Sequence, residues 1–127
     1  IRSMSIRGAP ALGVAGAFGI ALEAISHRQD SEVDFYQSIS IASEQLICSR
    51  PTAVNLAWGV NRVMSVLSEA GLSQSQKVDR IVSAAKTIAE EDVATNLRMA
   101  EFGASLIADG DTIITWSQSV ASYTLVS

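Results

Sequence analysis

The chain has 127 residues, enough for one domain with a buried core. Hydrophobic residues make up 48% and charged residues 17%, against about a quarter charged in an ordinary free-standing domain, so part of this surface is expected to be covered. A net charge of −4 without a basic stripe argues against nucleic-acid binding carried by bulk charge, and the lone Cys48 excludes an internal disulfide or a cysteine-based zinc site. The single cysteine fits a reducing, cytoplasmic setting.

The first predicted helix runs from about Pro10 to Ser26. It is preceded by Ile6-Arg7-Gly8-Ala9, a loop with an arginine and a glycine leading into an apolar helix. Proline suits the first turn of a helix, where its fixed φ fits and its missing N–H would have no partner. The N–H groups of that turn, with the helix dipole, favour an anion. Arg7 adds a fork-shaped cation suited to phosphate oxygens, and Gly8 lets the backbone approach closely. Gly13, Gly16 and Gly19 recur every three residues, which lowers helix propensity by up to about 1 kcal/mol each and implies close helix contact or close ligand approach. The apolar run from Ala9 to Leu22 is about 14 residues, short of a bilayer span, and Glu23 ends it, so no membrane segment is expected.

A second helix is expected from near Ser31, whose spacing to Asp34 resembles a capping box, to just before Pro51. Its apolar face is read through Val33, Tyr36, Ile39 or Ser40, Ser43 and Ile47. Pro51 is expected to open a third helix reaching Ala70, with Val54, Trp58 and Leu67 along it and Gly71 closing it. Arg50 before Pro51 then repeats the arginine-and-proline device of the first helix. Two such devices in one short chain suggest a shared phosphorylated ligand, provided the fold brings both helix starts together.

Ser73 or Ser75 is expected to cap a long fourth helix reaching Ile107, its apolar stripe breaking at Asp92. Asp109-Gly110 turns the chain, and Asp111 to Trp116 reads as a β-strand. A lone strand has no partner, the chain opens on Ile rather than Met, and it stops soon after this strand. A piece of a longer protein is therefore expected: an N-terminal helical domain over 1–109, incomplete at its N-terminus, leading into a truncated α/β domain over 110–127. Of the remaining candidates, His27 reads as a solvated residue at a helix end, Cys48 as a buried structural thiol, Trp58 and Phe18 as core, and Asp92 with Asn96 as a solvated face.

The motifs together are specific. Ile1-Arg2-Ser3-Met4, Ile6 to Ala15, Ser49-Arg50-Pro51-Thr52-Ala53-Val54-Asn55-Leu56, Glu90-Glu91-Asp92 with Asn96, Glu101-Phe102-Gly103-Ala104 and Gly110 to Thr115 resemble, in order, the S-methyl-5-thioribose-1-phosphate isomerases. The wider family includes regulatory subunits of translation initiation factor 2B and ribose-1,5-bisphosphate isomerases; Pro10 and Asn55 look more like the methylthioribose enzymes. The resemblance implies a helical domain followed by a Rossmann-like domain, a homodimer at full length, and conversion of an aldose 1-phosphate to a ketose 1-phosphate in methionine salvage, with no metal or organic cofactor. By matching motif it assigns Arg7, Gly8, Ala9 and Arg50 to the sugar phosphate. The alternatives within the family are a non-catalytic initiation factor 2B-like subunit and a ribose-1,5-bisphosphate isomerase-like enzyme.

The chain departs from the family after Thr115. Where the family has Thr-His-Cys-Asn, this sequence has Thr115-Trp116-Ser117-Gln118, so Ser117 stands at the position of the family's catalytic cysteine. A hydroxyl has a far higher pKa than a thiol and supplies no comparable acid or anion. The family's catalytic aspartate falls beyond residue 127, and the 127 residues alone are expected to be inactive.

Overall fold

A computed structural model describes Ile1, Ser3 and residues 5–114. Four helices follow one another: α1 (Ala9–Ser26), α2 (Glu32–Ser49), α3 (Val54–Met64), a short 3-10 turn (Ser65–Ser68), and α4 (Gln74–Ala104). The chain divides into two compact units, Ile1–Ala89 and Glu90–Ser127.

In the first unit, α1 is the central element and packs on both α2 and α3. It is long and apolar enough to cross a membrane by length and composition alone. Its Leu12, Gly13, Gly16, Ala17, Ile20, Ala21 and Ala24 are instead buried inside the protein. They meet Phe35 and Ile39 of α2, Leu56, Val60 and Val63 of α3, Val66 of the 3-10 turn, and Val78, Ile81, Ala85 and Ile88 of α4 in one apolar core.

The glycine repeat of α1 serves helix contact. A Cβ on Gly59 of α3 would lie 2.1 Å from the carbonyl oxygen of Gly13, and a Cβ on Gly13 would lie 2.9 Å from that of Asn55. Backbone therefore packs on backbone where α1 crosses α3, and any side chain there would hold the helices apart. Gly16 is filled from the other side by Leu56 and Val60, and Gly19 by Leu46 of α2.

Local signals set the starts of α2 and α4. Ser31 caps α2: its Oγ accepts from the Asp34 backbone N–H at 3.2 Å and donates to Asp34 Oδ2 at 2.6 Å. Before α4, Ser73 Oγ accepts from the Gln76 N–H at 3.3 Å, and Gln76 Oε1 accepts from the Ser73 N–H at 2.8 Å. That reciprocal pair is a complete capping box.

Three expectations are corrected. Of the face read on α2, Ile39 is buried and Tyr36 and Ile47 pack against the core, but Val33 is exposed. Fully buried Phe35, with Ala42 and Leu46 beside it, lies outside that reading. The buried face of α3 runs through Leu56, Gly59, Val60 and Val63; Val54 is 76% and Trp58 50% exposed, and Phe18 of α1 is also exposed. In both helices apolar residues occupy more than one side, so spacing alone left the phase open. Pro51 does not open a helix. It sits in a turn closed by the Ala53 N–H donating to the Arg50 carbonyl at 2.9 Å, and α3 starts at Val54. The fixed φ of proline suits the second position of a turn as well as the first turn of a helix.

The second unit carries the rest of α4. Asn96 is buried, and its amide donates to the carbonyl of Asp92 at 2.9 Å. Asp111–Ile114 form no ladder, and among the described residues there is no strand; the rest of the expected strand lies outside them. An extended segment needs a neighbouring strand to become one.

Candidate functional site

Arg7, Gly8 and Ala9 at the start of α1 and Arg50, Thr52, Ala53, Val54 and Asn55 ahead of and within α3 line one cavity of about 460 Å³, with Leu12 at its apolar side. Such a volume is typical of small-molecule sites, roughly 300–1,000 Å³. The four residues assigned to the sugar phosphate from the sequence thus lie around a single cleft, with Pro51 in the turn between its lining residues Arg50 and Thr52.

Each side chain is placed by a local device. Gly8 is the N-cap of α1 with φ +94°, a left-handed region that a side chain would strain. Pro10 occupies the first turn of α1. Arg50 closes α2, and the Pro51-Thr52 turn carries the chain from there to α3. The contact of Gly13 with the Asn55 carbonyl holds the first turns of α1 and α3 side by side.

The electrostatics of these two helix starts differ from those of α2. That helix has a serine cap and two acids, Glu32 and Asp34, in its first turn. Neither α1 nor α3 has a side-chain cap or an acid in its first turn. Among the described residues, two arginines and no carboxylate line the cleft they share. The positive ends of two dipoles and two arginines therefore border one space, and a dianion placed there would meet favourable charge from both arginines and both helix starts.

The other candidates lie elsewhere. Cys48 is exposed rather than buried. Trp58 carries the Arg62 guanidinium 5.3 Å above its ring, and its edge lies beside Gly13. His27 is held by two carboxylates, Nδ1 to Asp30 at 2.6 Å and Nε2 to Glu23 at 3.1 Å. The Asp30 hydrogen bond, aided by Glu23, raises its pKa above the ordinary 6.5. Among the described residues no group of His, Cys, Asp and Glu is arranged to hold a metal. Ser117 lies outside the described residues.

Thr52, Val54 and Asn55 were not singled out as ligand contacts in the sequence. Reading a helix from Pro51 hid the turn that swings them toward Arg7. Their only signal was membership of the Arg50–Leu56 motif.

A helical domain with a doubly basic, acid-free cleft is what fold and site define. A profile of the initiation factor 2 subunit family matches residues 5–127, and the chain belongs to that family. It is 45% identical over 116 residues to a protein of Methanosarcina acetivorans named putative methylthioribose-1-phosphate isomerase, covering 91% of this chain and 33% of that protein. It is 36% identical over 116 residues to the methylthioribose-1-phosphate isomerase of Heliobacterium modesticaldum, covering 91% of this chain and 34% of that one. Among solved structures, translation initiation factor eIF-2B subunit delta from A. fulgidus matches with a TM-score of 0.76 and 38% identity, over 87% of this chain and 32% of that chain. The chain spans about a third of the length of these relatives.

Proposed function

We propose that this chain supplies the phosphate-gripping part of an aldose–ketose isomerase that converts S-methyl-5-thioribose 1-phosphate to S-methyl-5-thioribulose 1-phosphate in the methionine salvage of the cytoplasm, acting at full length as a homodimer. The names of its relatives support the reaction class. The observation that carries the reading is the cleft itself: two helix starts without caps or acids, and two arginines, converge on one space.

The chemistry asks for such a grip. Phosphate on the anomeric carbon prevents the sugar from opening to a free aldehyde. A proton or hydride must then pass between two sugar carbons while the phosphate end is held still and water is kept away. In this reading Arg7 and Arg50 neutralise the phosphate, and the N–H groups of the α1 start, with that of Asn55 in α3, orient it; those of Val54 and Leu56 donate to Thr52 and Ala53. The reacting carbons would be served by groups outside the described residues. The 127 residues alone are proposed to be inactive, because Ser117 replaces the cysteine and the aspartate implied by the resemblance is not in the sequence.

The test is Arg50→Ala in the full-length protein, with binding of the sugar phosphate read by calorimetry and turnover by a coupled ketose assay. Both are expected to fall at least tenfold, with the melting temperature nearly unchanged because Arg50 lies outside the apolar core. Undiminished binding would defeat the reading. The name of the A. fulgidus structure favours a second reading, a non-catalytic initiation factor subunit. Stable association with initiation factor 2 and indifference to sugar phosphates would select it.

A further inference from the structure

We infer that Asn55 reads a hydroxyl group of the ligand, so that the cleft selects a hydroxylated phosphomonoester over a bare phosphate. The inference rests on the anion-site reading above and adds a residue and a ligand feature to it. Most of what lines the cleft can only donate or is apolar. Arg7 and Arg50 are donors without acceptor capacity, the backbone N–H groups of Val54 and Leu56 are already spent on the carbonyls of Thr52 and Ala53, and Gly8, Ala9, Leu12, Ala53 and Val54 offer no polar side chain.

A phosphate dianion has only acceptors, and these donors answer it fully. A ligand hydroxyl has a proton to give as well, and that proton needs an acceptor, which a side chain can aim more selectively than the backbone. Among the described residues the lining side chains offer two such acceptors, the hydroxyl of Thr52 and the amide oxygen of Asn55. Thr52 is exposed, whereas Asn55 is half-buried.

Asn55 is also the better placed of the two. Its backbone is fixed by the contact with Gly13, so its side chain leaves from a rigid first turn of α3. Its amide has no hydrogen-bond partner among the described residues. Other amides of the chain are committed to the protein: that of Gln74 holds the carbonyls of Arg28 and Asp30, each at 3.1 Å, and that of Asn96 holds the Asp92 carbonyl. An uncommitted amide beside two arginines can accept from one ligand hydroxyl through Oδ1 and donate to another oxygen through Nδ2. The cavity of about 460 Å³ leaves room for a sugar beside the phosphate.

The experiment compares two probes in the full-length protein by calorimetry: ribose 1-phosphate, which carries hydroxyls, and methyl phosphate, which does not. The wild type is expected to prefer ribose 1-phosphate. Asn55→Ala should weaken ribose 1-phosphate about tenfold and leave methyl phosphate within about twofold, which erases the preference. Arg50→Ala should weaken both. Alanine retains the helix and the backbone contact with Gly13, and a thermal melt of the variant checks the fold. Equal weakening of both probes by Asn55→Ala, or no weakening of ribose 1-phosphate, overturns the role of Asn55 while leaving the anion site standing. Failure of the wild type to bind either probe overturns the anion site and this inference with it.

Discussion

Gly8, Arg50 and His27 show how single residues act through backbone and charge. Gly8 holds φ +94° at the head of α1. Replacing it with alanine forces a side chain into the left-handed region, at a cost of about 1–2 kcal/mol, and misdirects the N–H groups beside Arg7. Reduced stability and weakened phosphate binding together are the expected outcome, read by denaturant melts and calorimetry. His27 makes a prediction with a sign. Its folded pKa lies above the ordinary 6.5 because Asp30 and Glu23 hold the protonated ring. The folded state thus binds the proton more tightly than the unfolded chain. The stabilisation is complete below about pH 6.5 and is lost as pH rises through the raised folded value. Thermal melts of wild type and His27→Gln between about pH 5.5 and 8.5 should differ at the acid end and converge at the alkaline end.

The helices were largely legible along the chain and poorly legible around it. Gly71 holds φ +79° but does not close the third helix, because α3 ends at Met64 and the 3-10 turn at Ser68. Ser31 and Ser73 act within a few residues of themselves, so the starts of α2 and α4 could be read directly. The inward side of α2 could be read only in part. Ile39, Tyr36 and Ile47 face the core as read, but Val33 and Phe35 both begin plausible apolar stripes, and the one read from Val33 is exposed at its start. Phe35 is fully buried and meets Tyr36 edge-on at 5.6 Å. Phe35→Ala should therefore cost about 3–5 kcal/mol, whereas exposed Val33→Ala should stay within about 0.5 kcal/mol, as urea melts would show. The glycines of α1 announced a close approach but not its partner. That partner is Gly59, whose Cβ would collide with the Gly13 backbone. Gly59→Ala is expected to cost about 3 kcal/mol, and to loosen phosphate binding as well, since the same crossing aligns the first turns of α1 and α3. Gly19→Ala, which meets only the movable end of Leu46, should cost less.

At the scale of the whole molecule, the break in the α4 stripe read near Asp92 falls beside the boundary between the two compact units at Ala89 and Glu90. A coupled ketose assay on the 127 residues alone should show no turnover, and clear turnover would refute the assignment of the reacting groups to positions outside the described residues. What belonged to the sequence alone was everything decided within a few residues: four helical segments, the serine caps of α2 and α4, the glycine repeat, and the arginine motifs that place the chain in its family. The meeting of Arg7 with Arg50 across 43 positions of chain was of another kind. It depends on a crossing of α1 and α3 close enough for backbone to touch backbone, and on Pro51 making a turn instead of a helix. Neither is a property of any short window, because the same proline φ serves both conformations and only the packing of the assembled core chooses between them.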